Sequence, residues 1–280
     1  MEVVEISDEN LEGFGPLLGA DLSEDVKRAY FGGIGLVDEN GHPEGALVYE
    51  LLNSESEEDT KSRICLIKSE KKEVGDAMLG YYCENAVQEE EIAESFYTME
   101  RETDAKTLEE LGFSMEKRED ENLVLTLGEL GESELGKKYK IPDYVDNIES
   151  LTILQYREAV KRILFKGHTG NMEDIPYLPK TWFDNNISAC VSSGGKIPGL
   201  FLIRRTPSGV LIPVLLFAYG PEFKKNLVYM IQYSVQQALL LYPKDTKIKI
   251  PRKNPSTRAL TDKLLPNRAG AEIFYGERKE

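Results

Sequence analysis

The chain has 280 residues, 41% hydrophobic and 30% charged, with a formal net charge of −15, which is the composition of an ordinary globular fold with room for two medium cores. Three scattered cysteines, Cys65, Cys83 and Cys190, exclude a disulfide framework or a zinc site. No uncharged apolar run approaches the ~20 residues of a membrane span, and the acidic start lacks a signal-peptide pattern, so the expectation is a cytoplasmic protein with no membrane anchor.

The charge is unevenly placed. Residues 1–130 carry 34 acidic and 11 basic side chains, whereas residues 131–280 carry 15 and 23. Such a split predicts two units with different surfaces, and the acidic half argues against a nucleic-acid binder.

In chain order, a short strand at Val3 to Ile6 leads into one or two helices. A strand–turn–strand follows over Ala29 to Tyr49, with "ENGHPEG" as its Gly/Pro-marked turn. "SRICLIK" reads as a third strand. The helix after it shows Met78, Leu79, Tyr82 and Ala86 on one face. "ESFYTM" is a further strand, "TLEELGF" a short helix, and "SMEKREDENLVLTL" a hairpin. "SESEEDTK" (Ser54 to Lys61) reads as a solvated loop, and Gly131 to Tyr144 as a polar linker.

The same order then recurs at a spacing of about 153 residues. A strand is expected at Ser150 to Ile153, and a strand–turn–strand over Thr181 to Ile203 around "SSGGKIPG". Val37 and Gly45 lie opposite Val191 and Gly199. "VLIPVLLFAY" is the third strand, and Leu227, Ile231, Ser234 and Ala238 mark the next helix. "TKIKI" and "LTDKL" close the pattern. The domain expectation is therefore 1–130, a linker at 131–145, and 146–280.

One stretch in the first copy carries chemistry. "KSEKKEVGDAMLGYY" (Lys68 to Tyr82) opens with Lys68, Lys71 and Lys72, three of only 11 basic residues in that half. Helix N-termini usually favour acids, so lysines there are out of place unless an anion is expected. A solvated helix start is the plainer alternative. His42 in a turn and His168 give too little material for a Ser/His or Cys/His catalytic set.

The order strand, helices, strand–turn–strand, strand, glycine-marked turn into helix, strand, helix resembles the GCN5-related N-acetyltransferase (GNAT) family, as two tandem copies across nearly the whole chain. The resemblance implies an α/β fold in which each copy has a mixed, mostly antiparallel sheet flanked by helices. Family members bind acetyl-CoA where a strand meets a helix through [Gln/Arg]-x-x-Gly-x-[Gly/Ala]. Lys72, Glu73, Val74, Gly75, Asp76 and Ala77 match that pattern, with lysine in the first place. Bare N–H groups at the helix start would hold the pyrophosphate, and small residues would admit it. Cys65 and Ile67, on the preceding strand, are the other expected contacts.

The resemblance implies further that Leu227 and Tyr229 fill the equivalent turn of the second copy, leaving one acetyl-CoA per chain. The tyrosine by which family members protonate the leaving thiolate falls on Leu108 in the first copy and Thr261 in the second, neither of which can serve. Glu100 is the candidate base. The implied activity is acetyl transfer to the amine of a small molecule, and the acidic surface leads us to expect a cation as acceptor. The rival expectations are a degenerate pair acting as a binding or regulatory module, and an acyl-CoA binder without transfer.

Overall fold

The computed structural model describes residues 1–28, 31–52, 60–99, 105–165, 175, 178–252, 255–266 and 268–279. It divides into two compact units, Met1–Asp120 with Ala271–Glu280, and Glu121–Gly270.

Unit 1 is built on a seven-stranded sheet. Strand β1 (Glu2–Glu5), helix α1 (Leu11–Val26), β2 (Phe31–Val37), β3 (Pro43–Leu52), β4 (Thr60–Ser69), α2 (Lys72–Tyr81) and α3 (Val87–Glu89) come first, α2 and α3 joined by a π-helical turn. β5 (Ile92–Met99), α4 (Ala105–Glu110) and β6 (Ser114–Glu119) follow. The seventh strand, β13 (Glu272–Lys279), comes from the chain's end and lies between β5 and β6. Every pairing is antiparallel except β4 with β5.

Helix α1 covers one face of this sheet, burying Leu11, Phe14 and Leu18 against Ala46 and Val48. It is interrupted at Gly19, where φ is +72°, a conformation reserved for glycine. The other face buries Val74, Met78 and Leu79 of α2, with Tyr82 of the π-helical turn, against Leu47, Tyr49 and Ile64. Gly45 is what lets that helix come close: a Cβ there would stand 2.6 Å from Val74 Cγ1 and 2.7 Å from Met78 Cε.

Unit 2 repeats the plan with six strands. β7 (Asn122–Thr126) and α5 (Leu127–Glu132) precede β8 (Val145–Asn147), α6 (Ile153–Phe165), β9 (Ala189–Ser193) and β10 (Lys196–Arg205). β11 (Leu211–Ala218), α7 (Phe223–Leu241), β12 (Lys247–Pro251) and α8 (Pro255–Leu264) complete it, in sheet order β7-β12-β11-β10-β9-β8. A Cβ on Gly199 would stand 3.0 Å from Met230 Cε, as one on Gly45 would crowd Met78, so the matched glycines of the repeat do the same work.

Four expectations are corrected. The hairpin expected over 114–127 does not form: β6 pairs with β13, and β7 pairs with β12 in the other unit. The units therefore divide at Asp120–Glu121, and the last ten residues belong with the first unit. The expected linker at 131–145 is packed structure, with Leu135 and Val145 in the core of unit 2 and Gln236 Nε2 donating to the Tyr139 carbonyl. The first strand of the second copy is Val145–Asn147; the residues expected to form it lie in a 3₁₀ turn, Ile148–Ser150, and at the start of α6. His168 and most of the 54–61 loop lie outside the described residues.

Candidate active site

The feature around which the unit 1 candidate site is built is a fork. β4 and β5 pair in parallel from Thr60↔Ile92 to Ile64↔Tyr97; past that point β4 pairs only with β3. The bend has a visible cause. On β3, Val48 and Tyr49 oppose Leu66 and Ile64, so Cys65 is an extra, unopposed residue, a bulge that turns the strand aside. Two strands that diverge at their C-terminal ends leave backbone groups on their inner edges without a ladder partner, which suits an extended ligand.

Cys65 sits at the bend, half-buried, and burial pushes its thiol up, opposed by the Arg63 guanidinium. It is therefore held as a thiol rather than a thiolate. Arg63 pairs with Glu50 across the β3–β4 ladder; burial works against its charge, and the Glu50 carboxylate more than restores it. Ile67, beyond the bend, turns to the α2 face and packs on the core there.

The expected cradle is helical rather than a loop. Helix α2 begins at Lys72, so Lys72, Glu73, Val74, Gly75, Asp76 and Ala77 form its first turn and a half. The Val74 and Gly75 N–H groups both donate to the Lys71 carbonyl, which leaves those of Lys72 and Glu73 without an intrahelical acceptor. Val74 is buried, Lys72 and Glu73 are exposed, and Gly75 rests on the tail of β4; a Cβ there would lie 3.4 Å from Ser69 Oγ and 3.7 Å from Ile67 Cγ2.

Two of the three lysines have partners. Lys68 Nζ donates to the Pro16 carbonyl at 3.4 Å, and Lys71 Nζ to Glu44 Oε2 at 2.6 Å, a bond that raises the lysine's pKa. Lys72 stands exposed at the helix start, so it is the cation of the cluster that remains open to an anion. Ser69 Oγ donates to the Lys71 carbonyl at 2.6 Å and fixes the turn.

Ile67 and the first turns of α2 thus lie on one side of the sheet at the fork, whereas Cys65 sits at the bend with its side chain packed toward α1. Glu100 lies outside the described residues. Leu108 is 1% exposed and belongs to the same core as Met78 and Tyr82. Thr261 is also buried, with its hydroxyl donating to the carbonyls of Thr257 and Arg258. The residue that sequence reasoning passed over is Tyr97, the last residue of β5 paired to β4, half-buried on the α2 face. Its signal was the alternation of "ESFYTM" (Glu94 to Met99), which puts Ser95 and Tyr97 on one face.

In unit 2 the corresponding strands touch at one register position, Leu211↔Ile248. Pro213, at the β11 bulge, has no N–H to offer β12 and ends the pairing early. Leu227 and Tyr229 fall where unit 1 has Gly75 and Ala77, and both pack against the unit 2 core. Larger side chains thus stand at positions where unit 1 has a glycine and an alanine. Among the described residues no group of three or more His, Cys, Asp or Glu side chains could hold a metal ion, and no helix is long and apolar enough to cross a membrane.

No family model matches the chain, and no curated protein matches its sequence. Solved structures do. A GCN5-related N-acetyltransferase from Sphaerobacter thermophilus superposes with a TM-score of 0.52 at 9% identity, covering 99% of this chain and 95% of that one. A second, from Kribbella flavida, gives 0.52 at 13% identity over 84% of this chain and 88% of its own. A conserved protein of unknown function from Bacteroides thetaiotaomicron gives 0.56 at 12% identity over the full length of both. These identities speak to fold alone. With a forked, mostly antiparallel sheet flanked by helices in each unit, the chain has the fold of the GCN5-related N-acetyltransferases, in two tandem copies.

Proposed function

We propose that unit 1 binds acetyl-CoA along the β4–β5 fork and transfers its acetyl group to the amine of a small molecule. The observation that carries this reading is the fork's position beside the start of α2. The bulge at Cys65 opens the strands, and the unpaired N–H groups of Lys72 and Glu73, with the Lys72 ammonium, stand at that helix start. Two free amides, a helix dipole and one open cation suit a pyrophosphate. Cys65 and Ile67 would line the fork, and Gly75 and Ala77 would keep the approach clear. Glu100 is the proposed acceptor of the amine's proton. Unit 2 is proposed not to bind acetyl-CoA, because Leu227 and Tyr229 stand at the positions of Gly75 and Ala77.

Unit 1 holds 35 acidic and 13 basic side chains, against 14 and 21 in unit 2. The field of such a surface concentrates cations and weakens as salt is added. A cationic amine is therefore the proposed acceptor, with a polyamine or amino sugar as the type. The buried Leu108 favours the second reading, a module that binds acetyl-CoA without transferring it.

Calorimetric titration with acetyl-CoA, paired with thiol-release assays over cationic, neutral and anionic amines at low and high salt, tests both. Binding with salt-sensitive turnover of cationic amines is expected. Binding without turnover selects the second reading, and absence of binding refutes both.

A further inference from the structure

We propose that Met115 sets the length of acyl chain that unit 1 accepts on its CoA donor and so restricts the donor to acetyl-CoA and its nearest homologue; the proposal rests on the reading of unit 1 as an acetyl-CoA site. The observation behind it is a row of residues that crosses five strands at the closed end of the fork. Tyr49 on β3 opposes Ile64 on β4, and Ile64 opposes Tyr97 on β5. Tyr97 opposes Gly276 on β13, which opposes Met115 on β6. The tyrosines, the isoleucine and the methionine all pack on the α2 face, on one core. Gly276 alone in the row has no side chain, and Met115 fills its place. A Cβ on Gly276 would stand 2.8 Å from Met115 Sδ and 3.4 Å from Phe113 Cδ1.

A donor whose pyrophosphate lies at the start of α2 runs toward this row. Gly75 rests that helix start on Ser69, the last residue of β4. From Ser69 back to Ile64 is five residues, about 17 Å of strand, a distance that an extended pantetheine arm spans. The thioester then reaches the closed end of the fork, and a chain beyond its carbonyl must find room along the row.

In one direction the row is sealed. Ile64 and Tyr49 are buried, and Tyr49 packs edge-on to Tyr82 with ring centroids 5.1 Å apart. In the other direction the chain runs beside the Tyr97 ring toward Gly276. The space over that glycine exists because no Cβ fills it, and the Met115 thioether occupies it. An acetyl methyl does not extend that far, whereas each further methylene is driven into the thioether, and overpacking of this kind is costly. The limit on the chain therefore lies with one side chain that can be removed without disturbing the ladder beneath it.

The test is Met115→Ala in the full chain, titrated by calorimetry with acetyl-, propionyl-, butyryl- and pentanoyl-CoA. Alanine lacks Cγ, Sδ and Cε, and pentanoyl is three carbons longer than acetyl. The wild type should bind acetyl-CoA most tightly and lose ~10-fold or more by pentanoyl-CoA. The variant should reverse that order, gaining about four-fold for each methylene it buries. Met115→Leu, which conserves volume, should keep the wild-type order. A merely structural role would shift all four donors alike, and an unchanged order in Met115→Ala overturns the proposal. So does a wild type that binds pentanoyl-CoA as tightly as acetyl-CoA. Should Met115→Ala not fold, Met115→Val, with a reach two atoms shorter than methionine, must extend the accepted chain to butyryl or the proposal fails. Failure of the wild type to bind any of the four donors refutes the acetyl-CoA reading of unit 1 itself, and this proposal with it.

Discussion

Removing the last ten residues should unfold the half of the protein that lies at the other end of the sequence. β13 pairs over six positions with β5 and six with β6. An antiparallel ladder carries about one backbone bond per paired position, so about twelve bonds are lost. At ~1 kcal/mol net each they contribute ~12 kcal/mol. Burial of Ile273 and partial burial of Phe274 add ~2 kcal/mol apiece. Ordering the eight strand residues opposes this by ~1.5 kcal/mol each, about 12 kcal/mol in all. The balance, ~4 kcal/mol, is a large part of the ~5–15 kcal/mol that holds a domain folded. A chain ending at Gly270 should show, by scanning calorimetry, the unit 2 transition intact and that of unit 1 lowered by about 15 °C or lost. A synthetic peptide of residues 270–280 should restore it. An unchanged unit 1 transition in the truncated chain would refute the reciprocal strand exchange.

The remaining expectations test the packing, the charge and the second copy. Gly45→Ala drives a methyl into Val74 and Met78, so it should cost ~1–3 kcal/mol and weaken acetyl-CoA binding, read by thermal unfolding and titration. Gly75→Ala, with only ordinary or slightly tight contacts at Ile67 and Ser69, should be tolerated by the fold in the same assays. Hydrogen bonds from Thr126, backbone first, and from Arg268 hold the Glu129 carboxyl down to about 2. A depressed value stabilises above the unfolded pKa of 4.5 and is lost as pH falls toward 2, so the unit 2 midpoint should drop over that window and Glu129→Gln should flatten the drop. Titration should give one acetyl-CoA per chain; a value near two would show that Leu227 and Tyr229 do not close the second site.

The repeat was legible because its signals are local. Val37 and Gly45 recur as Val191 and Gly199 with the same spacing, and in the structure each of those glycines admits a methionine, Met78 or Met230. Alternation and helical periodicity likewise fix strands and helices within a few residues. The exchange was not legible, because alternation says that a strand exists and not which strand it joins. A signal against the hairpin was nonetheless present. Between β6 and β7 stand only Asp120 and Glu121, and a two-residue hairpin loop needs positive φ, for which Asn-Gly or Asp-Gly is the usual choice. Glu91 is the one non-glycine residue described with positive φ, so the chain runs on at Asp120 into the second sheet. The fork was hidden for a similar reason, since a bulge at Cys65 is a relation between β3 and β4 that neither strand displays alone.

The exchange also explains how the two copies can differ so far at their forks. In unit 1, Ser62 pairs with Ser95, and Tyr82 reaches Ser95 with its hydroxyl. The matching positions of unit 2 are Leu211, Ile248 and Ser234. Bulk has moved from the helix to the strands, which conserves volume and keeps a core close-packed. Unit 2 is thus free to fill its fork with Leu227 and Tyr229 without loss of fold. It also supplies the covalent path by which β13 returns to lie between β5 and β6. Substitutions that close the second fork leave the first intact, whereas a break in the chain anywhere in unit 2 separates β13 from the sheet that depends on it. The second copy's requirement is to be a folded carrier of that strand, and nothing in that requirement calls for an acetyl-CoA site of its own.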